Sequence, residues 1–188
     1  MQNPMQEQLQ NMPVIAAVKN MEGLERALAS PCLVVFVLFG NLCNIGTIVE
    51  RIKAAQKLAV VHLDLIDGMA YREISVRFLK ENTSADGIIS TKVQLIRCAK
   101  EMGLITVLRH FLLDSMSLAN VEKHDIIRIA DFNEILPGTM PKIIRRFTLN
   151  AEYPMIASGL IMDKEDIVVA LGAGATAVST TKEDLWFE

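Results

Sequence analysis

The chain is 188 residues long, with a formal charge of −3, 51% hydrophobic and only 5% aromatic side chains. A domain of that length buries roughly 70% of the surface its unfolded chain exposes, so its core can hold without disulfides or metals. The acidic balance argues against a broadly basic nucleic-acid face, and Cys32, Cys43 and Cys98 show neither CxxC spacing nor an even-numbered framework. The longest apolar runs, such as residues 33–39, fall far short of the ~20 residues of a membrane helix and suit strands buried on both faces.

Residues 1–12 combine glutamine, asparagine and proline with neither a basic start nor an apolar core. That predicts a disordered N-terminal arm, no secretory signal and a cytoplasmic chain. A single domain is expected over residues 13–188. Residues 14–18 read as a strand and 20–28 as a helix with Leu24, Ala27 and Leu28 on one face, ended by Ser30-Pro31. A strand over 33–38, a polar loop over 40–44 and a helix over 45–55 follow, the helix turning Ile45, Ile48, Val49 and Ile52 inward. Residues 59–63 are the third strand and 72–80 the next helix; 87–90 are the fourth strand, and Thr91 caps a helix to Met102 that Gly103 stops. Residues 105–109 form strand five, a short helix runs from Asp114 or Ser115 toward Val121, and 132–136 form strand six. Pro137-Gly138 turns the chain, and Thr139 and Pro141 open a helix to Phe147.

Residues 154–181 repeat the unit most clearly. A short apolar strand ends at Ser158-Gly159, Asp163 caps a helix over 164–171, Gly172 and Gly174 allow the turn, and residues 175–179 form the last strand before Thr180-Thr181-Lys182. Eight strand signals thus alternate with helices, each strand an unbroken apolar run. The predicted architecture is an α/β, compact TIM-like (β/α)8 barrel whose last helix, residues 184–188, is reduced to a turn. A doubly wound open sheet is the alternative.

In a barrel the chemistry lies at the C-terminal ends of the strands. There the sequence places Lys19, then Gly40 with Asn41 and Asn44, His62 with Asp64, Ser90 with Lys92, Arg109, Glu134 with Gly138, Ser158 with Gly159, and Ser179 with Thr180 and Thr181. Glycine for close backbone approach with hydroxyl, amide and lysine donors suits an oxyanion, though the same residues also turn chains and cap helices. Arg109 is a bidentate clamp for carboxylate or phosphate, with Glu134 its natural internal partner. His62 serves equally as a general base near Asp64 or as a bonded core histidine, and Lys92 as a Schiff-base lysine, an anion donor or a solvated helix residue. No HExxH, GxSxG or GxxxxGK[ST] motif occurs.

The strings PVIAAVKN from Pro13, VVFVLFGNLCNI from Val34, VHLDLIDG from Val61, DGIISTK from Asp86, HFLLDS from His110, EILPGTMPKI from Glu134, ASGLI from Ala157 and AVSTT from Ala177 together resemble the glycerol-3-phosphate responsive antiterminator family. The resemblance runs from about residue 13 to 187. It implies a cytoplasmic, non-catalytic regulator with a TIM-like barrel and no cofactor. Such a regulator binds glycerol-3-phosphate and acts on the leader mRNA of glycerol-utilisation genes so that transcription passes a terminator. Carried over, Ser158, Gly159, Ser179, Thr180 and Gly138 hold the phosphate. His62, Asp64, Lys92, Arg109 and Glu134 face the glycerol hydroxyls or balance charge, and Ser90 joins them at its strand end. Self-association stays open.

RNA contact is less legible. Few aromatics are available for a stacking platform, and Lys142, Arg145 and Arg146 form the densest basic group, with Arg97 and Lys100 the second; a solvated helix face is the default reading of both. The competing reading is an enzyme acting on a small phosphate ester with His62 or Lys92 as base.

Overall fold

The structure, a computed structural model, describes residues 3–121, 128–149 and 154–188. Eight parallel strands carry the fold: β1 (Val14–Val18), β2 (Val34–Val37), β3 (Leu58–His62), β4 (Gly87–Ser90), β5 (Ile105–Phe111), β6 (Phe132–Leu136), β7 (Met155–Ser158) and β8 (Ala177–Thr180). They pair in sequence order, and β1 pairs with β8 through Val14 opposite Val178 and Ala16 opposite Thr180, which closes the barrel. The closed ladder excludes the open doubly wound sheet.

The helices are α1 (Pro4–Asn11), α2 (Met21–Ala29), α3 (Ile45–Ala54), α4 (Glu73–Asn82), α5 (Val93–Glu101), α6 (Ser115–Val121), α7 (Pro141–Thr148) and α8 (Lys164–Gly172), with a 3-10 turn at Glu183–Phe187 after β8. Asp163 caps α8 as predicted, and Asn20, read from sequence as the first helical residue, is the cap of α2; their side chains accept from the N–H groups of Asp166 and Gly23. Thr91 and Thr139 do not cap. The residues before α5 and α7 are Lys92 and Met140, without side-chain caps, and the Thr91 hydroxyl donates to Asp64 instead. Trp186, from the 3-10 turn, is buried, and its indole N–H donates to the Thr180 carbonyl at 2.9 Å. Among the described residues no helix is long and apolar enough to cross a membrane.

Because strand side chains alternate, each strand gives one set of residues to the barrel lumen and the other to the helices. Val14, Ala16, Val18, Val35, Val37, Val61, Ile88, Leu108, Ile135 and Val178 join the outer layer with the helices. Ile15, Ala17, Val34, Phe36, Val60, Ile89, Ile105, Val107, Phe132, Ile156 and Ala177 fill the lumen.

Residues 1–12 are not an arm without structure. Asn3 caps α1 by accepting from the Met5 N–H, Pro4 opens the helix, and Met5 and Leu9 are buried within the lumen cluster. A polar composition concealed two apolar residues four apart, one helical turn, which is enough for a helix that covers only the N-terminal end of a barrel. Residues 1 and 2 lie outside the described residues. Leu9→Ala is expected to lower the unfolding free energy by about 2–5 kcal/mol, as for other fully buried leucines, measured by urea titration. A loose arm would show no change.

Candidate functional site

The lumen set changes character at the C-terminal end. Two residues beyond Val60, Val107, Phe132, Ile156 and Ala177 stand His62, Arg109, Glu134, Ser158 and Ser179. The alternation that packs an apolar lumen below thus delivers five polar side chains inward at the mouth. All five are buried.

Arg109 and Glu134 are register partners on β5 and β6. The guanidinium grips the carboxylate in two bonds, Nε to Oε2 at 2.6 Å and Nη2 to Oε1 at 3.1 Å. Glu134 is fully buried, so the pair is mutual compensation: either charge alone in the lumen would be costly. Arg109 also lines both cavities of the mouth.

The first chamber, of about 450 Å³, lies at β7, β8 and β1. Ser158, Gly159, Ser179, Thr180 and Thr181 line it, with Lys19, Arg109 and Lys182 as its cations and, among the described residues, no carboxylate. Leu38, Leu136, Leu160, Ile161 and Met162 also line it; sequence reading missed them as wall residues, since an apolar side chain at or just past a strand end carries no signal that it faces a chamber. The Ser179 hydroxyl is buried and has no hydrogen-bond partner. Thr180 is engaged: its hydroxyl donates to the Ile161 carbonyl and accepts from the Lys182 N–H. The turn after β7 is left-handed at two successive residues, Gly159 (φ 73°) and Leu160 (φ 58°), the second costing about 1–2 kcal/mol of backbone strain. Gly138 packs behind this turn. Its N–H donates to the Gly159 carbonyl, and a Cβ there would meet the Ser158 nitrogen at 2.6 Å. Its role is therefore close approach, and its N–H is not offered to a ligand.

The second chamber, of about 420 Å³, lies at β3 to β5, lined by His62, Asp64, Leu65, Tyr71, Thr91, Lys92, Arg109 and Phe111. Asp64 accepts from Ser90 Oγ (2.6 Å), Thr91 N (2.8 Å) and Thr91 Oγ1 (2.8 Å). Ser90 points out of the lumen, fully buried, and supports Asp64 from behind; like Glu134 and Gly138 it backs a wall. Lys92 Nζ sits 5.6 Å from the centre of the Tyr71 ring. Tyr71, half exposed in an irregular loop, gave no periodic signal to find it by. His62 Nδ1 is buried without a partner. Burial, and after it the nearby Arg109 charge, pushes the His62 pKa down to about 4, against a smaller opposing pull from Asp64. The imidazole is neutral near pH 7. Asn41 and Asn44 bond within their own loop.

Lys142, Arg145 and Arg146 do come together, away from the mouth. With Pro141, Leu149 and Val169 they line a surface groove of about 500 Å³ between α7 and α8. In the other basic group, Lys100 pairs with Asp131 at 3.4 Å. Among the described residues no cluster of three or more His, Cys, Asp or Glu could hold a metal ion.

The fold and site define a (β/α)8 barrel whose mouth presents a donor-lined chamber to solvent, free of carboxylates among the described residues. The chain belongs to the glycerol-3-phosphate responsive antiterminator family, whose model matches residues 14–186. It is 43% identical over 183 residues to the uncharacterized protein YgcP of Escherichia coli, covering 97% of this chain and 96% of that one. Among solved structures it resembles a glycerol uptake operon antiterminator regulatory protein from Listeria monocytogenes (29% identity, TM-score 0.88, 94% of this chain and 95% of that one). It also resembles a glycerol uptake operon antiterminator-related protein from Thermotoga maritima (30% identity, TM-score 0.78, 92% and 96%). A deoxyribose phosphate aldolase from Aeropyrum pernix, at 16% identity and TM-score 0.67, shares the fold alone.

A histidine depressed in the folded state leaves stability intact above its unfolded pKa of about 6.5 and removes it as pH falls through about 4. His62 is therefore expected to withdraw about 3 kcal/mol across that window. In urea titrations at successive pH values, His62→Gln should flatten that part of the stability curve, and an unchanged slope would contradict the assignment.

Proposed function

We propose that this chain is a glycerol-3-phosphate-responsive antiterminator that holds the phosphate ester in the first chamber and acts on the leader mRNA of glycerol-utilisation genes. The observation that carries the ligand is the Ser179 hydroxyl, buried without a partner in a chamber lined by three cations and no carboxylate among the described residues. An unmet buried hydroxyl is destabilising by about 1–3 kcal/mol, and a phosphate oxygen accepting from it removes that cost. Ser158, Gly159 and Thr181 surround the same spot, with Lys19 and Lys182 supplying positive charge and Arg109, whose charge Glu134 balances, closing the inner side. Three-carbon hydroxyls then reach toward Arg109. No cofactor beyond the effector is needed for binding.

The reading is of a sensor without turnover. The three hydrogen bonds that Asp64 accepts come from Ser90 and Thr91 and none from His62, whose Nδ1 has no partner, so no carboxylate orients His62 as a base, and His62 lies in the other chamber from the cradle. For RNA, the groove of Lys142, Arg145 and Arg146 supplies cations for phosphates beside the exposed Leu149, and α7 leaves the loop that packs on the cradle through Gly138. The acting form is a cytoplasmic protein.

Thermal unfolding tests the ligand. Glycerol-3-phosphate at 100 times its dissociation constant should add about 2.7 kcal/mol and raise the midpoint by several degrees, whereas glycerol should not. Ser179→Asp should abolish the shift. A shift that survives the aspartate would remove the ligand from this chamber. For the RNA face, Arg145→Ala with Arg146→Ala should reduce the slope of log affinity against log salt by about one to two. An unchanged slope would place the RNA elsewhere.

A further inference from the structure

Two cavities of nearly equal size open on one mouth, and a three-carbon phosphate ester fills only one. Strands β3 and β7 lie four places apart round the closed ring, hence on opposite sides. An eight-stranded cylinder with ordinary strand spacing and tilt is about 15 Å across between facing backbones. At roughly 1.2 Å of reach per bond in an extended chain, a glycerol phosphate anchored at β7 and β8 ends near the middle, beside Arg109. Beyond that arginine, the second chamber stays unused.

Its lining has a definite chemistry. His62 is 3% exposed, neutral near pH 7, and its Nδ1 has no partner. Asp64 accepts three hydrogen bonds where an ionised carboxylate offers about four acceptor sites, leaving one. Lys92 adds donors, and the Tyr71 ring gives a flat apolar face. Donor and acceptor groups side by side, next to an aromatic face, match alternating hydroxyl and C–H groups; a second anion would meet the Asp64 carboxylate, which the lining of the first chamber lacks.

Resting on the first chamber as the phosphate cradle, we propose that the second chamber is a subsite for the hydroxylated carbon chain of a longer phosphate monoester, a sugar or sugar-alcohol phosphate of five or six carbons. Phosphate sits at Ser179, the chain passes Arg109, and the distal hydroxyls bond His62 and Asp64 against Tyr71. The effector class of this chain thereby extends beyond glycerol-3-phosphate.

Calorimetric titration of the full chain with glycerol-3-phosphate, ribitol 5-phosphate and glucitol 6-phosphate tests this. Two added hydroxyl contacts should make a longer ester bind about tenfold more tightly than glycerol-3-phosphate. His62→Leu should bring the ratio of the two affinities close to one. Tyr71→Ala, at a position that is 58% exposed, should lower the same ratio. Tighter binding of a longer ester with no measurable glycerol-3-phosphate binding would support the subsite and overturn the three-carbon effector. Glycerol-3-phosphate binding as tightly as the longer esters, or a preference that survives both substitutions, would overturn the subsite alone. No binding by any ester would overturn the phosphate cradle and the subsite with it.

Discussion

The buried ion pair between Arg109 and Glu134 is the constraint on which the mouth depends. Two charges on neighbouring strands are withdrawn from water where the lumen turns from apolar to polar, and only their bidentate geometry makes that burial tolerable. The pair fixes the guanidinium at the centre, where it forms a wall of each chamber. Its charge also helps keep His62 neutral. Replacing either partner alone would leave an unmatched charge inside the barrel, so the pair is simultaneously a core element and the divider of the site.

Around that centre the mouth is asymmetric. One side, from β7, β8 and β1, offers cations, hydroxyls and a strained left-handed turn without a carboxylate, which is the chemistry of an oxyanion cradle. The other, from β3 to β5, offers a neutral imidazole, a partly committed carboxylate and an aromatic ring. The same fold in distant aldolases shows only that such barrels can be catalytic; function follows from the side chains at the mouth. Family membership rests on the match over residues 14–186. YgcP, at 43% identity, exceeds the 29–30% shared with the two solved antiterminator-type proteins.

Much of this was legible in residues alone. Unbroken apolar runs between helices, one of them capped by Asp163, indicated parallel strands, and closure into a barrel followed from there being eight of them. Arg109 with Glu134 could be paired before any coordinates because both stand at consecutive strand ends. What the sequence hid was orientation. Ser90 stands at a strand end as Ser158 and Ser179 do, yet it falls on the opposite parity and faces away from the lumen, bound to Asp64. Gly138 reads as a ligand-approaching glycine, whereas the backbone of β7 occupies the space next to it. Tyr71 and helix α1 were concealed for a different reason: a single aromatic in a loop, and two apolar residues in a polar stretch, become meaningful only when a barrel wall is present to receive them.

The proposed function requires the unpartnered Ser179 hydroxyl to mark where a phosphate ester sits. A crystal structure of the chain grown with glycerol-3-phosphate tests it most directly. A phosphate group is expected within hydrogen-bond distance of Ser179 Oγ, between the β7 and β8 ends, with the carbon chain directed toward Arg109. A phosphate bound instead in the basic groove of α7 and α8, or an unoccupied mouth at saturating ligand, would contradict it.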